Sequence, residues 1–71
     1  MARLPRISGS ELIKRLERHG YFQVRTTGDY VRLHHHFRPP TTVSLHEVIG
    51  PGLLRKIMRD TGFELSDIFR E

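Results

Sequence analysis

Three observations in the sequence predict an α+β fold with one three-stranded antiparallel sheet. Residues 12–16 and 53–58 each carry an apolar stripe at helical spacing. Between them, residues 21–45 alternate apolar and polar side chains in three short runs. Two turn signals, Thr27-Gly28-Asp29 and Arg38-Pro39-Pro40, separate those runs. The predicted order is helix, three antiparallel strands, helix, then a short C-terminal helix. Three strands with one apolar face need cover, and two amphipathic helices supply it on one side. The other sheet face stays open.

Residues 1–7 form a lead-in. Ser8-Gly9-Ser10-Glu11 reads as a capping box, with Ser8 accepting from an early helix amide and Glu11 reaching back to the Ser8 amide. Ile7 and Leu12 occupy the two staple positions around that cap. Leu12, Ile13 and Leu16 form the buried stripe, Lys14, Arg15, Glu17 and Arg18 lie outside it, and Gly20 is a natural stop. The first helix is expected over 9–19.

The run from Tyr21 to Thr26 reads as a half-buried strand, with Phe22 and Val24 on the core face and Tyr21, Gln23 and Arg25 on the other. The second strand, Tyr30 to Phe37, turns Val31, Leu33 and His35 inward and Tyr30, Arg32, His34 and His36 outward. The third, Thr41 to Leu45, has Val43 and Leu45 as its core side. Gly50-Pro51-Gly52 opens the second helix, where the missing N–H of proline costs no hydrogen bond. Leu53, Leu54, Ile57 and Met58 are its buried stripe, and Gly62 ends it. Ser66 to Phe69 reads as a capped short helix.

A chain of 71 residues, read as a single domain over 1–71, excludes multi-domain enzymes and large cofactor folds. The absence of cysteine excludes disulfides, thiolate metal sites and a cysteine nucleophile. No apolar run approaches the roughly 18–20 residues of a membrane span. Met1 to Arg6 lacks the apolar core of a secretory signal, so a cytoplasmic location with no membrane partner is expected. The net charge is +4, and ten of the twelve basic side chains are Arg. Arg grips phosphate or carboxylate with a two-pronged fork. That balance points to nucleic acid or an acidic protein as partner, against the alternative of a merely solvated cationic surface.

The outward column of Tyr30, Arg32, His34 and His36, with Arg25 beside it, is an aromatic and cationic surface. Arg and His bind phosphate, Tyr stacks on a base, and His titrates near neutral pH. The competing reading is a solvated sheet face. His34 and His36 could chelate a metal, with His46 as a distant third, but the signal is weak because no carboxylate stands at ligand spacing. No metal and no small-molecule cofactor is expected. The start of the second helix lacks the Lys and Ser/Thr of a phosphate-binding loop, which leaves an ordinary helix start as the favoured reading.

Several ordered segments are similar to the HicA toxins, small ribonucleases of type II toxin–antitoxin modules. They are Ser8-Gly9, His19-Gly20-Tyr21, Val24-Arg25, Thr27-Gly28, Val43 to His46, Gly52-Leu53-Leu54-Arg55-Lys56-Ile57 and Thr61-Gly62-Phe63. The resemblance implies a fold similar to a double-stranded-RNA-binding domain. It also implies metal-independent cleavage of mRNA and silencing by a HicB-like antitoxin. At the position where the family carries Gly-Ser-His, with His catalytic, this chain has Gly28-Asp29-Tyr30. A phenol with a pKa of about 10 is a poor base at neutral pH. Three readings follow: an inactive RNA-binding or antitoxin-binding remnant, transfer of the role to His34 or His36, or an inactivating change at Tyr30. Under the resemblance the catalytic candidates are Tyr30, His34 and His36. Arg25 and Arg32 would stabilise charge on the phosphate, and Arg55 and Lys56 would guide the RNA backbone.

Overall fold

The structure is a computed structural model that describes residues 5–69. Residues 1–4 of the expected lead-in lie outside the described residues. The elements are α1 (Gly9–Arg18), β1 (Phe22–Thr27), β2 (Tyr30–His34), β3 (Thr41–Ser44), α2 (Pro51–Thr61) and α3 (Leu65–Phe69). The sheet order is β1-β2-β3 and both pairings are antiparallel. The predicted α+β order is thus the observed one.

One core joins the helices to a single sheet face. Leu12 and Leu16 of α1 meet Val31 and Leu33 of β2, Val43 of β3, and Leu54 and Ile57 of α2. Ile68 of α3 closes the same cluster. The start of α1 forms as expected: the Ser8 hydroxyl accepts from the Glu11 amide at 3.1 Å, and the staple residues Ile7 and Leu12 are both buried. The reciprocal half of the box does not form. The Glu11 carboxylate turns instead to Arg15 Nε, 3.4 Å away.

A backbone seam ties this helix start to the chain that leaves β3. The Gly9 amide donates to the His46 carbonyl and the Ile49 amide to the Ile7 carbonyl, both at 2.8 Å. The seam is so close that a Cβ on Gly9 would run into the Ser44 carbonyl.

The first strand departs from the expectation. All six residues of β1 are exposed, including Phe22 and Val24, which the alternation places in the core. The strand begins at Phe22, and Tyr21 before it is the buried residue. A bulge at Val24 explains the difference. Gln23 pairs with Leu33 and Arg25 pairs with Arg32, so one residue of β1 has no partner and the alternation reverses there. Gln23 therefore lies on the helix side, where its amide donates to the Glu17 carboxylate at 3.2 Å. Phe22, Arg25 and Thr27 share the open side.

β2 ends at His34, three residues earlier than expected, because the chain turns as soon as β1 ceases to pair with it. In that turn the Phe37 amide donates to His35 Nδ1 at 3.0 Å. β3 ends at Ser44. Leu45 is exposed rather than in the core, since its amide leaves the strand to donate to the Asp29 carbonyl at 2.7 Å. Ser44 is buried, although the register puts it on the Tyr30 side of the sheet. α3 starts at Leu65, and the capping group is the Asp67 carboxylate, which accepts from the Glu64 amide at 2.9 Å.

The 35–40 turn is anchored at two points. The Tyr21 phenol donates to the Pro39 carbonyl at 2.8 Å. The Arg38 guanidinium lies 4.0 Å from the centre of the Phe63 ring and donates to the Thr61 carbonyl at 2.9 Å, satisfying the last turn of α2. Burial raises the Tyr21 pKa above its ordinary value, the Arg38 charge lowers it in part, and Asp60 adds to the rise.

Two predictions follow from these anchors. Alanine is the better helix former by roughly 1 kcal/mol, yet Gly9→Ala is expected to destabilise by about 1–3 kcal/mol in urea unfolding, because its Cβ meets backbone. Tyr21→Phe is expected to cost about 1 kcal/mol at neutral pH. Because the folded pKa is the higher one, that contribution is complete below about pH 10, the unfolded value, and is lost as pH rises through the folded value. The stability gap between wild type and Tyr21→Phe should therefore close in alkali; a gap that persists or widens refutes the assignment.

Candidate nucleic-acid interface

The bulge and the β2–β3 register fix three rows across the open sheet face. Thr27, Tyr30 and Ser44 form the first. Arg25, Arg32 and Thr42 form the second. Phe22 and His34 form the third. The first two rows enclose a depression of about 290 Å³ lined by Arg25, Thr27, Tyr30, Arg32 and Thr42.

Arg32 is half-buried and its guanidinium donates to Thr42 Oγ1 at 3.0 Å, which orients the fork. Arg25 stands directly opposite it and is exposed. Among the described residues, no carboxylate pairs with either guanidinium. Like charges directly opposite one another destabilise a sheet. The second row is thus a candidate anion grip: two opposed guanidinium groups, without carboxylate partners among the described residues, held side by side at a cost to the fold. Tyr30, 56% exposed, presents its phenol beside that grip as a hydrogen-bond donor.

The histidines part company. His34 keeps its place on the open face, but it lies four residues beyond Tyr30, roughly 13 Å along the strand. It is not among the residues of the depression. His36 is past the end of β2, with its ring 5.3 Å from that of Phe22. His35 points inward: Nε2 donates to the His19 carbonyl at 2.9 Å while Nδ1 accepts from the Phe37 amide. Those two bonds require the neutral Nε2–H tautomer. Gly20 makes room for this ring; with φ +99°, a Cβ there would sit 2.6 Å from His35 Nε2.

Arg55 and Lys56 are exposed on α2, whose opposite face packs against the covered side of the sheet. The structure therefore does not bring them together with Tyr30, Arg25 and Arg32, and Lys56 is paired with Asp60 at 2.9 Å. His46 lies 3.4 Å from Ser44, at the Tyr30 end of the sheet and away from His34 and His36. Among the described residues, no group of three His, Asp or Glu side chains comes together in a way that could hold a metal ion.

Sequence reasoning missed Thr42 and Phe22. Alternation around Val43 places Thr42 outward and was enough to find it. Phe22 was hidden by the bulge, which leaves no mark in the hydropathy pattern.

A family model described as HicA toxin of bacterial toxin-antitoxin matches residues 9–63, most of the chain. The chain belongs to the HicA toxin family. Membership makes it a toxin of a toxin–antitoxin module and implies an antitoxin partner. No curated protein and no solved structure matches the chain. The HicA-matched span runs from the first residue of α1 to Phe63 and so holds the whole sheet, α2 and both anchors of the 35–40 turn. Among the described residues, no helix is long and apolar enough to cross a membrane.

The opposed arginines generate a prediction with two readouts of opposite sign. Arg25→Gln should stabilise the free protein by about 0.2–1 kcal/mol in thermal or urea unfolding. The same variant should weaken RNA binding and lower its salt slope by roughly one. A variant that is less stable than wild type, or that binds RNA equally well, rejects the reading of this row as an anion grip.

Proposed function

We propose that this HicA-family toxin binds mRNA across its open sheet face and cleaves it as a metal-independent endoribonuclease, silenced by a HicB-like antitoxin. The observation that carries this reading is the unneutralised Arg25–Arg32 pair beside Tyr30 on an uncovered face. A phosphate between the two forks relieves their repulsion and accepts from both. The Tyr30 phenol adds a neutral donor to the same anion.

In the cleavage step, His34 takes the proton of a ribose 2′-OH. The 2′ oxygen attacks its own phosphorus, and the bond from phosphorus to the 5′ oxygen breaks. A 2′,3′-cyclic phosphate and a 5′-hydroxyl result, the leaving oxygen taking its proton from water. Arg32, two residues from His34 on the same face, stabilises the charge that builds on the phosphate. The substrate supplies its own nucleophile, so the protein needs only a grip, a base and an exposed face. Arg55 and Lys56, on the far side of the domain, contribute to the general attraction of the polyanion rather than to this grip.

A second reading, binding without cleavage, is favoured by one observation: the depression holds Tyr30 where the family's histidine is expected, and the other histidines lie outside it. One assay separates the two. A long mRNA is incubated with the protein in EDTA between about pH 5 and pH 9, the range over which an imidazole changes charge. Cleavage by wild type, reduced about 100-fold or more in His34→Ala, supports the enzyme. RNA that is bound but uncut across the range establishes the binding-only form, and cleavage undiminished in His34→Ala removes His34 as the base.

A further inference from the structure

The open face carries a second feature beyond the arginine grip. Past the third row of the sheet, three aromatic side chains gather in solvent. Phe22 is 40% exposed and Phe37 92% exposed. The His36 ring stands between them, 5.3 Å from Phe22 and 6.3 Å from Phe37. A phenylalanine this exposed contributes almost nothing to the core.

It is nevertheless held in place. Its backbone amide donates to His35 Nδ1, and the other nitrogen of that ring is tied to the His19 carbonyl. The Tyr21 ring packs edge-on against His35 at 4.8 Å, and the Tyr21 phenol and Arg38 anchor the following residues. Four polar contacts thus fix the backbone of the turn that carries this fully exposed ring, which is available to a ligand.

We propose that Phe22, His36 and Phe37 form a base-stacking platform that selects unpaired, single-stranded RNA and lays it along β2 toward the Arg25–Arg32 grip. This deepens the RNA reading above and rests on it. Phe22 shares one face with the grip, since it lies opposite His34 and Arg25 opposite Arg32 in the same register, and the rings of His36 and Phe37 continue outward from it. Cationic forks that hold phosphates, alternating with rings that stack on bases, are what a single strand presents a use for. A duplex keeps its bases stacked on one another and offers these rings nothing. The charge beside the rings favours a polyanion, since Arg25 and Arg32 lack carboxylate partners among the described residues.

The test is fluorescence anisotropy of the full chain with a labelled oligoribonucleotide of mixed sequence. Three probes are compared: the single strand, its blunt duplex, and the same strand with abasic sites. His34→Ala serves as the background if wild type cleaves the probe. Phe37→Ala and Phe22→Ala are each expected to bind the single strand about 5-fold or more weakly, and to leave the salt slope unchanged. Duplex and abasic probes should bind wild type and these variants alike. Circular dichroism of Phe37→Ala checks that the fold is intact, which its exposure leads us to expect. If Phe37→Ala and Phe22→Ala bind the single strand as wild type does while Arg25→Gln binds it weakly, the platform is refuted and the arginine grip stands. If Arg25→Gln also binds normally, the RNA reading itself falls. If Phe37→Ala loses only the binding of an antitoxin protein, the rings are a protein-docking surface and the proposal is overturned.

Discussion

The bulge at Val24 decides what the open face of this domain is. An edge strand without it would continue the alternation from Phe22, and the residue opposite Arg32 would be Val24. One unpaired residue reverses the pattern and sets Arg25, in place of Val24, against Arg32. It also keeps Phe22 on the same face as Arg25, although they are three residues apart. The anion grip and the aromatic end of the face therefore exist together only because of a local irregularity. Bulges are common on edge strands, where they also discourage pairing with another chain.

What makes the face available is the asymmetry of the core. Both long helices pack on one side of the sheet, and their side chains meet Val31, Leu33 and Val43 there. Among the described residues, no element lies on the other side. Backbone contacts tie the helix layer to the sheet in addition to apolar burial. Gly9 sits against the Ser44 carbonyl, and the Ile7–Ile49 and Gly9–His46 bonds extend that seam. At the opposite end, Arg38 stacks on Phe63 and caps α2 while Tyr21 holds Pro39. The same contacts that stabilise the covered side fix the turn that projects from the open one.

The helices were legible in the sequence because their signals are local: a serine at the N-cap, a proline at the first turn, a glycine past the last, and stripes of period near four. The outward column on β2 was legible for the same reason, since Tyr30, Arg32 and His34 alternate strictly with Val31 and Leu33. β1 was not, because Phe22 and Val24 look like core residues in any pattern of apolar and polar letters. Their exposure follows from a bulge and from an edge position, and both are set by the partner strand. Leu45 failed similarly. Its hydrophobicity promises burial, but its amide is claimed by the Asp29 carbonyl and the chain turns away. Charge along a sequence does not say which side of a two-layer domain carries it, and Arg55 and Lys56 lie on the helix layer, away from the sheet arginines.

Tyr30 has a physical consequence for where chemistry can occur. The depression around it has two guanidinium groups and a phenol, hydrogen-bond donors suited to an anion, and no imidazole among its lining residues. If the protein cleaves RNA, as proposed above, proton removal from the ribose falls to an imidazole, and His34 is the one that β2 carries on this face. Between the two lies Arg32, two residues from each and pointing the same way. One guanidinium is thus placed to serve a phosphate on either side of it. A shift of the reacting phosphate from the Tyr30 side to the His34 side would keep the strongest electrostatic contact and change only the group that accepts the proton. Such a shift brings the reacting nucleotide next to Phe22 and His36. Rings that hold a base would then also orient the 2′-OH toward His34, so that stacking and proton transfer act on the same nucleotide.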